Sequence, residues 1–260
     1  MNLDSYLPKG KWKIFSAIEY TPKAGGKRLR SRIFEVASLD LGIDPMEDVS
    51  VAIEFFHSGT LIHDDLPEID DARMRRGKKA NHLVFGQGLA VLAGDGLFFL
   101  AFKLLSNHPK LFKEFSKVAF EVLLGEAMDV EMEDVDDVST KDIIEMYEKK
   151  TGALFGFSFS APALEVEDPR FERLKKLGRD FGIAFQIYDD LKDLTSKPEI
   201  IGKDTGKDVR KKTLVRSWGV ERARDTADEI YSKVLKELSE LEMTNLVGFL
   251  ESVKDSVRSR

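Results

Sequence analysis

Leu61-Ile62-His63-Asp64-Asp65-Leu66-Pro67-Glu68-Ile69-Asp70-Asp71 places five acids within eight residues, directly after an apolar run from Val51 to Ile62. Carboxylates repel one another and are costly to bury. An apolar helix that delivers such a cluster either ends in solvent, with Pro67 as the stop, or presents oxygen ligands to a hard divalent cation. Mg²⁺ takes one or two carboxylates and fills its remaining positions with water and phosphate oxygens.

A second stretch decides between these readings. Phe185-Gln186-Ile187-Tyr188-Asp189-Asp190-Leu191-Lys192-Asp193 repeats the design about 125 residues on, again after an apolar segment, Phe181 to Ile187. Asp189 and Asp193 are four apart and share a helix face, where like charges destabilise a bare helix. Two such clusters facing each other across a bundle core would clamp metal-bound phosphate.

Outward from these clusters, helical periodicity dominates. Helices are expected over Trp12–Tyr20, up to Leu41 after the basic turn Ala24–Arg30, over Asp48–Asp71, Gly88–Leu105, Leu111–Val135, Thr140–Leu164, Pro169–Thr195, Thr213–Leu238 and Thr244–Val257. Ala72 to Phe85 reads as a basic loop and Ser196 to Lys212 as a Gly/Lys/Asp loop. Small residues at Gly152, Ala153 and Gly156 would allow close helix contact or ligand approach. No alternating run of β-branched residues suggests a sheet. The expectation is an all-α bundle, with residues 1–260 forming one domain.

Composition bounds the function. A net charge of −6 gives no reason to expect nucleic acid as a partner, and the absence of cysteine removes disulfides and thiolate chemistry. Met1 to Gly10 lacks an apolar signal core. Leu89 to Phe102, interrupted by Asp95, reads as too short to span a bilayer. A cytoplasmic protein without a membrane span is expected.

Phosphate bridged by Mg²⁺ needs cations for its remaining oxygens, and three sets are present. Lys27, Arg28 and Arg30 follow a Gly-Gly turn, Arg75 and Arg76 follow the first acidic cluster, and Lys203, Lys207, Lys211 and Lys212 follow the second. Arginine grips phosphate bidentately and lysine acts as a point charge. The set implies two diphosphates, one held through metal and one by side chains alone. Val51, Ile53, Phe55, Phe56, Val91, Leu92, Leu97, Phe98 and Phe99 are ordinary core residues, and they also suit a hydrocarbon tail. Loss of diphosphate from such a substrate leaves a carbocation, which an allylic tail would delocalise.

These motifs, in this order, resemble the trans-prenyl diphosphate synthases, from Gly25 to about Thr213. The matching stretches are Gly25-Gly26-Lys27-Arg28-Leu29-Arg30, His57, Asp64-Asp65-Leu66-Pro67-Glu68-Ile69-Asp70 with Arg75-Arg76-Gly77, and Leu92-Ala93-Gly94-Asp95. They continue with Lys150-Thr151-Gly152, Phe185-Gln186, Asp189-Asp190-Leu191-Lys192-Asp193, Gly202-Lys203, Gly206-Lys207-Asp208 and Lys211-Lys212-Thr213. The spacing from Asp65 to Asp70 resembles the bacterial and plant form. Ala72 and Arg73 depart from the pattern, standing where relatives often carry Asp. The segment between Asp208 and Lys211 is short, which puts the choice between Lys211 and Lys212 in doubt.

The resemblance implies the isoprenoid synthase fold, about ten helices around a central cavity. It implies Mg²⁺-dependent condensation of isopentenyl diphosphate with allylic diphosphates, by a homodimer. Asp64, Asp70, Asp189 and Asp193 would bind Mg²⁺, with Asp65 and Asp190 supporting. Arg75, Lys150, Lys203 and Lys211 would hold the allylic diphosphate, and Lys27, Arg30, His57 and Arg76 isopentenyl diphosphate. Lys150, Thr151 and Gln186 would stabilise the cation. The tail would descend past Thr60, Gly59 and Phe56, with Gly59 leaving a gap and Phe56 forming the floor, closed by Phe98 or Phe99. A fifteen- to twenty-carbon product follows. The alternatives are a terpene cyclase-like lyase, against which Lys27, Arg28, Arg30 and His57 count, and a non-catalytic subunit of a heteromeric synthase, against which two intact aspartate motifs count.

Overall fold

The computed structural model describes residues 1–195 and 211–258. Its helices are α1 (Lys13–Tyr20), α2 (Leu29–Asp40), α3 (Glu47–Asp64), α4 (Asn81–Phe85), α5 (Gln87–Leu105), α6 (Pro109–Met132), α7 (Thr140–Tyr147), α8 (Ala153–Glu165), α9 (Phe171–Thr195), α10 (Leu214–Trp218), α11 (Val220–Glu240) and α12 (Thr244–Arg258). The described residues fall into two compact units, one of residues 1–32 and 46–109, the other of residues 33–45, 110–195 and 211–258.

The first unit is built on α3 packed along α5, with α1 and α4 also against α5. Helix α3 is apolar nearly all round and buried from Val49 to Phe56, as a helix without a polar face must be. Helix α5 meets it with Ala90, Ala93, Leu97 and Ala101, all fully buried. Helix α3 stops at Asp64, not at Asp71 as its sequence suggests. The stop is local. Asp65 N–H donates to Leu61 O, Leu66 N–H to His63 O, and Pro67 cannot continue the ladder. The expected basic loop contains a two-residue-per-strand hairpin, β1 (Met74–Arg75) with β2 (Lys78–Lys79). Arg76 at φ 54° and Gly77 at φ 75° give it the primed turn that suits a hairpin. Strands this short carry no alternation for a sequence to reveal.

Helix α5 corrects the reading of Leu89–Phe102 as too short. It has 19 residues, and among the described residues it is the one helix long and apolar enough to cross a membrane. One face packs in the unit's core, while Val91, Leu92 and Phe99 are exposed.

In the second unit α9 runs between α8 and α11. Aromatic side chains fill the contact: Phe155, Phe159 and Phe185 around Phe181, with Phe181 in turn against Tyr231. The segment expected as one helix from Thr140 to Leu164 is α7, a π-turn over Glu148–Gly152, and α8. Glycines explain the close packing there. A Cβ on Gly182 of α9 would lie 2.5 Å from Gly152 Cα, and one on Gly125 of α6 would lie 2.1 Å from Lys150 N. Asp40, closing α2, accepts hydrogen bonds from Asn245 and Leu246 N–H and so caps α12.

Candidate active site

In the first unit the acidic stretch is a tight fold-back. Asp70 N–H donates to Asp64 O at 2.9 Å, and Asp71 N–H to Leu66 O at 2.9 Å. Asp71 adopts φ 47°, a conformation an L-residue holds only under constraint. The backbone therefore brings Asp70 back to the end of α3, beside Asp64.

Asp65 has a different task. It is buried, and its Oδ1 accepts both Nε of Arg75, at 2.8 Å, and Nη2, at 2.5 Å. Burial pushes the Asp65 carboxyl up against the pull of Arg75, while the same pair keeps the guanidinium firmly protonated. Asp65 is therefore tied to Arg75 through one carboxylate oxygen.

The basic residues of this unit converge. A Cβ on Gly26, at φ 114°, would lie 2.8 Å from Arg76 Nε, so the Gly25-Gly26 turn lies directly on that guanidinium. Arg30 Nη1 is 3.2 Å from His57 Nε2. Lys27 is exposed beside the turn. Residues from 26 to 76 are thus brought into two touching pairs, Gly26 with Arg76 and Arg30 with His57.

The tail region differs from expectation at one residue. The space beside Gly59 is taken by Phe98: a Cβ there would lie 2.6 Å from the Phe98 ring and 3.0 Å from Gly94 O. Gly59 permits α3 and α5 to approach and leaves no gap. Phe56 is buried, and its ring lies tilted against Phe98 with the centroids 5.0 Å apart. Phe99 points outward, 72% exposed, and closes nothing in this unit. Thr60 donates its hydroxyl to His57 O.

In the second unit the π-turn carries Lys150 and Thr151. A π-turn holds one extra residue against the helix ladder and recurs at functional sites. Thr151 Oγ1 donates to Gln186 Oε1 at 2.7 Å, and Gln186 Nε2 donates to Asp190 Oδ1 at 3.0 Å. Tyr147 donates a very short hydrogen bond to the other oxygen of Asp190. Burial pushes the Asp190 carboxyl up to about 7, against the pull of Tyr147 and Gln186, and it raises the Tyr147 phenol well above its ordinary range. Both Asp190 oxygens accept hydrogen bonds from protein donors. Asp189 and Asp193 share the next face of α9.

Sequence reasoning missed Asp129. Its Oδ2 lies 2.6 Å from Lys150 Nζ and 2.8 Å from Lys211 Nζ, with Glu126 and Glu133 flanking the two lysines at 2.9 and 3.0 Å. Burial would raise the Asp129 carboxyl, but the two lysines outweigh it and hold the group below its ordinary value. Spacing was the available signal: Glu126 and Asp129 are three apart on α6, and Glu133 follows four residues later, just past its end. Lys211 is thereby the lysine drawn in beside Lys150. Lys203 and Lys207 lie outside the described residues.

The profile of the polyprenyl synthetases matches residues 12–245. The chain belongs to the polyprenyl synthetase family. Its structure is similar to that of a geranyltranstransferase from Thermotoga maritima, at 42% identity and a TM-score of 0.90, with 99% of this chain and 94% of that one covered. It also resembles a geranyltransferase from Helicobacter pylori complexed with magnesium and isoprenyl diphosphate, at 27% identity, a TM-score of 0.84 and coverage of 98% and 93%. Among curated relatives, the geranylgeranyl diphosphate synthase of Cyanophora paradoxa is 33% identical over 255 residues, 91% of this chain and 85% of that one. As a polyprenyl synthetase the chain is an all-α prenyltransferase that builds prenyl diphosphates by condensation, and the cyclase and non-catalytic readings are not favoured. The family is Mg²⁺-dependent. The donors fit that ion: they are carboxylates, and the chain has no cysteine. Among the described residues no three acidic or histidine side chains converge to cage a metal, a count Mg²⁺ does not need when water and diphosphate complete its shell.

Proposed function

We propose that the chain condenses isopentenyl diphosphate with an allylic diphosphate, and that Asp64, Asp70, Asp189 and Asp193 are the carboxylates that hold Mg²⁺. When bound, the ion neutralises charge on the departing diphosphate. Arg75, oriented by Asp65, and Lys150, Lys203 and Lys211 bind the allylic diphosphate. The allylic C–O bond breaks, the diphosphate keeps the electron pair, and an allylic cation remains. Thr151, Gln186 and the carbonyls of the π-turn face that cation with the negative ends of their dipoles. The double bond of isopentenyl diphosphate supplies the electrons of the new C–C bond. The resulting tertiary cation then loses a proton to the released diphosphate.

The observation that carries this reading is the convergence of Gly26 on Arg76 and of Arg30 on His57. A cyclase ionises one diphosphate and has no use for a second cationic pocket. Lys27→Ala and His57→Ala are each expected to raise KM for isopentenyl diphosphate about tenfold or more while the allylic KM changes less than twofold. Equal effects on the two substrates would contradict the assignment.

The product proposed is fifteen to twenty carbons, with the tilted pair Phe56–Phe98 as the floor. Chromatography of the products formed from labelled isopentenyl diphosphate tests it. We also propose that the exposed stripe of Leu92 and Phe99 on α5 is covered by a second copy of the chain in the cytoplasm. A dimer mass in light scattering and recovery without detergent are expected; recovery only from membranes would overturn this.

A further inference from the structure

We propose that Tyr147 and Asp190 are positioning residues that decide which end of the Thr151 hydroxyl meets the allylic cation, its lone pair and not its proton. The inference rests on the reading that Thr151 and Gln186 face that cation. Its warrant is a chain of four hydrogen bonds that runs in one direction, from Leu214 to Thr151.

The chain starts at the backbone. Leu214 N–H donates to Tyr147 Oη at 3.1 Å. The phenol donates its own proton to Asp190 Oδ2. The other carboxylate oxygen receives Gln186 Nε2, at 3.0 Å. A carboxylate accepts and does not donate, so the amide must turn its NH₂ toward Asp190 and its carbonyl away. That carbonyl takes the single proton of Thr151, at 2.7 Å. The threonine oxygen then has only lone pairs left to present.

Geometry supports the chain as a unit. Tyr147 and Thr151 are four apart, as are Gln186 and Asp190, so the two pairs form two rungs to α9, one from the end of α7 and one from the π-turn. The glycine contact of Gly152 with Gly182 brings the two backbones close enough for both rungs to close. Without the phenol, one Asp190 oxygen has no donor holding it, and the carboxylate that fixes the sense of the Gln186 amide can turn away from it. An amide turned the other way would donate to Thr151, whose proton would then point at the cation. A dipole aimed correctly before ionisation needs no reorganisation during it.

The experiment uses the full chain, Tyr147→Phe and Asp190→Asn. It measures steady-state kinetics, Mg²⁺ half-saturation, thermal unfolding, and calorimetric affinity for a tertiary ammonium analogue of the allylic cation bound with inorganic diphosphate. Tyr147→Phe is expected to lower kcat about tenfold and to weaken the ammonium analogue by a similar factor, since both report the cation. KM for both diphosphates and Mg²⁺ half-saturation should stay within about twofold, as uniform binding is untouched. Asp190→Asn should lower kcat with unchanged Mg²⁺ half-saturation. An unaltered kcat in Tyr147→Phe overturns the proposal, as does parallel weakening of analogue and substrate. Rescue of Asp190→Asn by excess Mg²⁺ overturns it too, because that marks a metal ligand. If the wild type binds the ammonium analogue no better than its neutral isostere, the cation-facing role of Thr151 fails, and the inference with it.

Discussion

The two aspartate motifs treat their second aspartate differently. In the first, Asp65 is buried against a guanidinium, and its pair with Arg75 cancels charge on the spot. In the second, Asp190 is held by a phenol and an amide, both neutral, and burial lifts its carboxyl to about 7. A cation-paired carboxylate fixes a cation. A carboxylate held by neutral donors fixes the direction of hydrogen bonds. The same Asp-Asp dipeptide therefore positions a guanidinium in one motif and an amide in the other.

The largest effect that tests this contrast is expected at the first aspartates. Asp64→Ala and Asp189→Ala should each lower kcat about a hundredfold or more, because each removes stabilisation of charge developing on the leaving group. Melting temperatures should hold or rise as repulsion among acids is relieved. Near-normal turnover in either variant would dissolve the distinction between first and second positions.

Stability separates the second aspartates. Asp65→Ala leaves a largely buried guanidinium without its partner and should cost about 2–3 kcal/mol, reduced from the fully buried case because Arg75 keeps some solvent contact. Asp190→Asn retains hydrogen-bonding capacity and should cost about 1 kcal/mol. Denaturant unfolding in chelator measures both; equal losses would mean the two pairs are equivalent.

A pH profile sharpens the same point in metal-free protein. The Asp190 pKa is raised on folding, so between about 4, its unfolded value, and about 7 the native state holds the proton more tightly. Its contribution to stability is present at low pH and is lost as pH rises through that window. Asp129 has the opposite sign, since its pKa is lowered: its contribution is present above about 4 and is lost as pH falls through its folded value. Asp190→Asn should flatten the neutral side of the profile and Asp129→Asn the acid side. The reverse pattern would contradict both environments.

The smallest effect concerns product length. Phe56→Ala should add one isoprene unit to part of the product, since a helical turn of about 5.4 Å separates one layer of the wall from the next. Gly59→Phe must displace Phe98 and should shorten the product while lowering stability by about 1–3 kcal/mol. An unchanged product distribution in both variants puts the floor elsewhere.

Much of this was legible in the sequence where chemistry is carried by residue type at short spacing. Asp64 with Asp70, Asp189 with Asp193, and Lys150-Thr151 with Gln186 are patterns that a helix or a proline stop makes readable. Asp129 was hidden because an acid on a mostly polar helix looks like solvated surface until its two lysines arrive from 21 and 82 positions away. Gly59 was read as empty space because a sequence shows the missing side chain and not the ring from α5 that fills it. The π-turn left no mark, since the apolar spacing of Thr140–Leu164 tolerates one extra residue without losing its face.

That extra residue has a genetic consequence. A codon deleted at Glu148 or Lys149 would let the segment close into an unbroken α-helix, so ordinary criteria would score it as harmless. Each residue of an α-helix advances by about 100°, so the loss would rotate everything upstream of it, Tyr147 included, relative to Thr151. Only one rung to α9 could then form. Length variation in this stretch should therefore be silent in folding assays and conspicuous in turnover, which makes single-residue deletions there a sensitive genetic screen for the π-turn's role.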